Sequence, residues 1–365
     1  MILGIEIGGT KLQWIVGSGS DTAWIARRLA SVERERAAEG IRTQLVEITE
    51  SLLAEYPEIE RIGIGFGGPV DPTAGRVILS HQIDGWQDFP LASWLAEHTR
   101  RPVMLANDSD CAGLAEATYG AGRGEHSVFY SNVGSGIGGA LIIDGNLYTG
   151  GSGIASEIGH LRLMPYGLAE CDMAAFSAVT ASFADPATPT RTITSDSPHS
   201  PSLIAPPRNV ESMASGWAIT KYVQKRCQRE PYSAAAQAIG RAIGETNVGT
   251  FESLDTRLVV QLALEERNPI ALAAMNRCTR VYGWAIAQMI TLLAPNVVVI
   301  GGGVSLADER IFLGPLRERV AENVLPALQG SYRVEPARLG EEVVAAGAIA
   351  LAALAVNAPG KDNPK

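Results

Sequence analysis

Three short glycine clusters in this chain each follow an apolar run of strand character. They are Gly8-Gly9-Thr10-Lys11, the stretch Gly134-Ser135-Gly136-Ile137-Gly138-Gly139, and Gly301-Gly302-Gly303. Glycine leaves no Cβ between the backbone N–H and a phosphate oxygen, and Thr10 and Lys11 add a hydroxyl and an ammonium as donors. The same glycines suit plain tight turns between strands, so no single cluster decides between the two readings. A further polar spot, Asn107-Asp108, ends another strand pattern, and on its own Asp108 reads as the cap of the helix that follows. Neither G-x-x-x-x-G-K-[ST] nor a dinucleotide fingerprint with its downstream acid occurs, so a different nucleotide fold is required. Cys111, Cys171, Cys227 and Cys278 lie far apart, without the spacing of a disulfide scaffold or of paired zinc ligands, which fits a reducing compartment.

The elements that must hold these groups alternate between strand and helix. Residues 2 to 7 and Leu12 to Val16 read as a hairpin around the first cluster. Ile41, Leu45, Ile48 and Leu52 recur at helical spacing, a strand from Arg61 to Phe66 ends in Gly67-Gly68-Pro69, and a helix around Pro90 to Arg101 leads to a strand at Val103 to Ala106. Strand, glycine-rich turn and strand recur from Ser127 to Ile143. That repetition predicts two α/β lobes of similar core facing each other across a cleft. We divide the chain into a first lobe at 1–120 and a second at 121–341, with a last helix at 342–357 returning to the first. Asp185 to Pro207, rich in Pro, Ser and Thr, reads as an insertion.

Composition narrows the partners. With 365 residues and 46% hydrophobic content the chain can bury a large core. A net charge of −9 with scattered basic residues gives no general attraction to nucleic acid or anionic lipid. No signal peptide is expected at the N-terminus, and the longest apolar run, Val343 to Val356, is about 14 residues against the roughly 20 needed to cross a bilayer. It reads as a closely packed core helix.

Taken together, five segments resemble the ROK family of sugar kinases and repressors, within the actin-like and hexokinase-like ATPases of ribonuclease H-like fold. The segments are IEIGGTK at Ile5 to Lys11, GGPVD at Gly67 to Asp71, NDSDCAGLAE at Asn107 to Glu116, NVGSGIGGALIIDGNLYTGGSGIASEIGH at Asn132 to His160, and VVIGGGVS at Val298 to Ser305. The resemblance implies a cytoplasmic, homodimeric, ATP- and Mg²⁺-dependent kinase acting on a small sugar. It makes Asp108 the catalytic base, Gly8, Gly9, Thr10 and Lys11 the first phosphate loop, and Gly134, Ser135 and Gly136 the second. Gly301, Gly302 and Gly303 match the loop beside the adenosine. Gly68, Asn107, Asp108, Glu157 and His160 match positions that bind sugar hydroxyls. Such chemistry is coherent, because phosphoryl transfer needs positioning, charge neutralisation and a carboxylate to take the hydroxyl proton.

Three departures from the family pattern qualify these expectations. Glu6 stands where the family commonly has Asp near Mg²⁺, and is expected to reach the metal through water. The family's cysteine cluster beside His160 is missing after Cys171, so no zinc site is expected, and Glu211, at the end of the altered segment, is assigned to the sugar. Gln82 stands where the family has Asn and is also assigned to the sugar. The alternative reading is an inactive sugar-binding protein. A repressor would need a DNA-binding winged helix ahead of the first phosphate strand, which begins at residue 2.

Overall fold

The structure, a computed structural model, describes residues 1–80, 83–163, 208–244 and 251–357. The first sheet is built from β1 (Ile2–Ile7), β2 (Lys11–Gly17), β3 (Ala26–Ser31), β4 (Arg61–Phe66) and β7 (Val103–Asn107), in the order β3-β2-β1-β4-β7. The short β5 (Val70–Asp71) and β6 (Arg76–Val77) pair with each other. The second sheet holds β8 (Ser127–Val133), β9 (Ile137–Ile143), β10 (Asn146–Tyr148), β11 (Val297–Gly301) and β12 (Arg333–Pro336), in the order β10-β9-β8-β11-β12. Both sheets are an antiparallel three-strand meander continued by two parallel strands. The repeat expected from the glycine-rich hairpins is therefore a repeat of topology.

Helices fill the connections. In the first half these are α1 (Ala37–Glu55), α2 (Leu91–Thr99) and α3 (Asp108–Thr118). In the second they are α4 (Glu211–Ala214), α5 (Gly216–Arg229), α6 (Ala234–Ala242), α7 (Thr256–Leu264), α8 (Pro269–Leu293), α9 (Leu313–Asn323) and α10 (Val343–Asn357). The periodic residues Ile41, Leu45 and Leu52 are the buried stripe of α1. The long α8 begins where its sequence says it should: Asn268 Oδ1 accepts from the N–H groups of Ile270 and Ala271, and Pro269 occupies the first turn.

The apolar run at the C-terminal end is α10, which packs on α3, β1, β4 and β7. Its Ala345, Ala346, Ala348 and Ala352 are fully buried. Small residues are required on both sides of this contact: a Cβ on Gly63 of β4 would overlap the Ala348 carbonyl, and one on Gly347 the Cys111 carbonyl. Among the described residues no helix is long and apolar enough to cross a membrane.

Strands β3, β10 and β12 carry too little periodic signal to be read from the sequence. β3 and β12 are sheet edges whose side chains are largely exposed, so pairing with the neighbouring strand rather than an alternating apolar pattern makes them strands. The 185–207 insertion, Cys171 and Gln82 lie outside the described residues.

Candidate functional site

Strand register gathers the first set of candidate residues. Ile7 pairs with Phe66 across β1 and β4, and Phe66 pairs with Asn107 across β4 and β7. The residues that follow each strand, Gly8, Gly67 and Asp108, therefore emerge side by side at the carboxyl ends of the parallel strands, where α/β sheets place their ligands. Gly67 donates to the Ile7 carbonyl at 2.9 Å, closing the row. A small recess opens there, lined by Ile7, Gly8, Gly9, Phe66, Gly67 and Ser80 among others.

Asp108 is not the helix cap that its local context suggests. Asn107 takes that place: its backbone is extended, its Oδ1 accepts from Ser109 N at 2.8 Å, and its Nδ2 donates to the Gly68 carbonyl at 2.9 Å. Asp108 is the first helical residue. Its Oδ1 shares the Ser109 N–H, also at 2.8 Å, and receives the Ser109 hydroxyl at 3.4 Å. Oδ2 accepts no hydrogen bond among the described residues and lies beside Gly67, 3.6 Å from where a Cβ would sit. Burial raises the Asp108 carboxyl above its ordinary range, against the Ser109 bonds, with a smaller push from Glu157.

A cluster of acids surrounds Asp108. Glu157 precedes a short 3-10 turn at Ile158–His160, and its Oε2 lies 3.8 Å from His160 Nε2. Burial raises the Glu157 carboxyl, His160 lowers it, and Glu211 raises it again. The sequence reading missed Asp110, two residues along α3. Its carboxyl is pushed up to about 7, first by burial and then by Glu157 and Asp108. Two acids in a first helical turn read from sequence only as dipole partners, and Glu157, the larger of the two charges acting on Asp110, comes from another part of the chain. Glu211 uses Oε2 to accept from Ile137 N at 2.9 Å, which fastens α4 to the start of β9 beside Gly136.

Glu6 on β1 faces the same end. Its carboxylate lies 3.5 Å from Lys11 Nζ, and burial raises its pKa while Lys11 opposes the shift and Asp108 adds to it. Among the described residues no group of three or more His, Cys, Asp or Glu is arranged to hold a metal ion. One hard carboxylate beside the Gly8–Lys11 turn fits Mg²⁺ that keeps most of its own water and takes other oxygens from phosphate.

The glycine clusters do serve as turns in part. Gly8 donates to Lys11 O at 3.1 Å and Gly134 to Gly136 O at 2.9 Å, so those two N–H groups are engaged within their loops. The second and third clusters meet. Asn132 of β8 pairs with Gly301 of β11, and Gly302 has φ +88° with the Val133 carbonyl 2.5 Å from any Cβ placed on it. Gly216 at the start of α5 donates to Gly134 O at 2.7 Å. Ser109 Oγ donates to Asn132 Oδ1 at 3.0 Å, which joins the helix bearing Asp108 to the second sheet. Of the expected residues, Glu6, Gly8–Lys11, Gly68, Asn107 and Asp108 gather at the first sheet. Gly134–Gly136, Gly301–Gly303 and Glu211 gather at the second, and Glu157, beside His160, acts on Asp108 and Asp110.

Known proteins share this architecture. The ROK family sequence profile matches residues 2–355. A glucokinase of Thermotoga maritima is 28% identical over 354 residues, covering 96% of each chain. An N-acetylmannosamine kinase of Vibrio cholerae is 27% identical over 308 residues, covering 84% of this chain and 85% of its own. The crystal structure of a ROK family glucokinase from Streptomyces griseus in complex with glucose and AMPPNP superposes with a TM-score of 0.71 at 25% identity, covering 97% of this chain and 99% of that one. The fold is the actin-like, hexokinase-like fold.

Proposed function

The chain belongs to the ROK family, and from that premise we propose that it transfers the terminal phosphoryl group of ATP to a hydroxyl of a small sugar, with Asp108 as the base. The observation that carries this reading is the Oδ2 of Asp108 left outside the helix's hydrogen bonding beside Gly67, on a helix whose cap is supplied by Asn107. The sugar oxygen attacks phosphorus as its proton passes to Oδ2, and the bond to ADP breaks. A carboxyl raised by burial suits this task better than an ordinary aspartate, because it holds the proton more readily as the oxygen becomes nucleophilic.

Binding roles are assigned on the same reading. Gly68, Asn107, Glu157, His160 and the second carboxylate oxygen of Glu211 are assigned to sugar hydroxyls, and Gln82 with them from outside the described residues. Gly9, Thr10 and Lys11, with Ser135 and Gly136, are assigned to the phosphates, and Gly301–Gly303 to the nucleoside side. Mg²⁺, held through water by Glu6, would neutralise phosphate charge when bound. The segments 1–120 and 121–341 are read as lobes that close on the substrates and exclude water. A homodimer in the cytoplasm completes the reading. Hexoses such as glucose, fructose and N-acyl amino sugars are the candidate acceptors.

The second reading, an inactive sugar-binding protein, draws on Glu6 being paired with Lys11. A coupled ADP-release assay over hexoses and N-acyl amino sugars, run beside Asp108→Asn, separates the two. Sugar-stimulated release lost in the variant is the expected result. No stimulation by any sugar, or a variant equal to wild type, ends the kinase reading.

A further inference from the structure

At the far end of α3 from Asp108 lies a carboxylate that the proposed chemistry does not use. Glu116 is fully buried. Its Oε2 accepts from Ala121 N at 2.8 Å, and its Oε1 accepts from Arg338 N at 2.8 Å and from Leu339 N at 2.9 Å. Ala121 lies on the segment that leads from α3 to β8, which is the passage from the first sheet to the second. Arg338 and Leu339 lie on the segment from β12 to α10, by which the chain returns to pack on the first sheet. One carboxylate thus holds both passages, through three backbone donors and, among the described residues, no cation.

We propose that Glu116 is the pin of the hinge between the two sheets, and a positioning residue for Asp108. The inference rests on the reading above in supposing that the cleft closes on a sugar. Hydrogen bonds to an ionised acceptor are the stronger kind, and burial shields these from competing water. Two passages tied at one point cannot slide past each other, so relative motion of the sheets becomes rotation about the tie, with the φ/ψ changes taken up in the flanking residues. The eight residues from Asp108 to Glu116 make a lever of about 12 Å at the rise of an α-helix. Rotation of about 10° at that radius shifts the carboxylate by about 2 Å, and a displacement of that order is sufficient to cost about a hundredfold in rate. The other end of the lever is held by Ser109 Oγ on Asn132 Oδ1.

Glu116→Gln tests the pin, because its amide nitrogen must face an N–H on one of the two passages. The expected variant keeps its far-ultraviolet circular dichroism, loses tenfold or more in kcat, and shows a smaller sugar-induced decrease in radius of gyration by small-angle scattering. The probe is glucose, or the panel hexose that stimulates ADP release. A lowered Tm with wild-type kcat, KM and scattering change would make Glu116 a static staple and overturn the proposal. Amide exchange on the wild-type protein decides the matter if the variant does not fold. Ala121, Arg338 and Leu339 should stay protected with and without sugar while their neighbours in 119–126 and 337–342 change; exchange of the three that responds to sugar overturns the pin. Failure of the kinase reading is distinct, since it appears as wild-type protein without sugar-stimulated ADP release, and protection of the three amides in the sugar-free protein is measured independently of it.

Discussion

Asn107 and Asp108 share one donor: the Ser109 N–H lies 2.8 Å from Oδ1 of each. Asn107 completes the cap with a second bond, from Nδ2 to the Gly68 carbonyl, and Asp108 keeps Oδ2 outside the helix's own hydrogen bonding. Two adjacent polar residues therefore divide the work, one fixing the helix start and the other turning a carboxylate oxygen toward Gly67.

That division predicts different failures for the two residues. Asp108→Asn should lower kcat by about 10²- to 10⁴-fold with a modest change in sugar KM. Asn107→Ala should lose about 1 kcal/mol of capping and about 2 °C in Tm, together with a raised sugar KM as Gly68 loses its tie. Steady-state kinetics beside thermal unfolding would expose a reversed pattern.

Asp110 predicts a pH dependence of stability. Its carboxyl titrates at about 7 in the folded protein against an ordinary value of 3.8. The folded state therefore binds the proton more tightly, and stability falls as pH rises from about 4 to about 7, then levels. Asp110→Asn should match wild type near pH 4 and exceed it at pH 8 by on the order of 4 kcal/mol. A difference in Tm that does not vary across that range would count against the assignment.

Glu6 is predicted to set the Mg²⁺ requirement. Glu6→Gln removes the charge while leaving an amide near Lys11, and should raise the Mg²⁺ concentration for half-maximal rate several-fold, with kcat down about tenfold. Titration of activity with MgCl₂ at fixed ATP measures it. An unchanged Mg²⁺ curve would place the metal elsewhere.

The third glycine cluster separates packing from binding. Gly302 sits at φ +88°, and the Val133 carbonyl lies 2.5 Å from the position a Cβ would take, so Gly302→Ala should destabilise the fold by about 1–3 kcal/mol. A Cβ on Gly303 meets nothing within 4 Å. Gly303→Ala should leave Tm unchanged and raise the KM for ATP. Equal effects of the two substitutions on Tm would remove the distinction.

Much of the site is legible in the residue string because its chemistry sits in short segments next to strands. The glycine turns, the Asn107-Asp108 pair and the helix starting at Asp108 all follow from local pattern, and the first hairpin takes nearly the bounds that its apolar runs indicate, whereas β9 begins at Ile137, inside the glycine-rich stretch, rather than at Ala140. Local pattern misassigns the cap to Asp108, since both residues are good caps and only the extended backbone at Asn107 distinguishes them. It also passes over Asp110 and Glu116, whose environments are made by partners such as Glu157 and Arg338 far along the chain.

The sequence by itself determined the central, buried strands, the glycine turns and the types of side chain available for phosphoryl transfer, because these depend on periodicity and on what each residue can donate or accept. Tertiary structure alone decided which of those side chains meet. Register set Gly8, Gly67 and Asp108 at one end of the parallel strands, burial raised Asp108 and Asp110, and the crossing of two distant segments over Glu116 joined the halves. The physical reason is that fields, desolvation and hydrogen bonds act through space, and partners such as Glu116 and Leu339 are 223 residues apart in sequence.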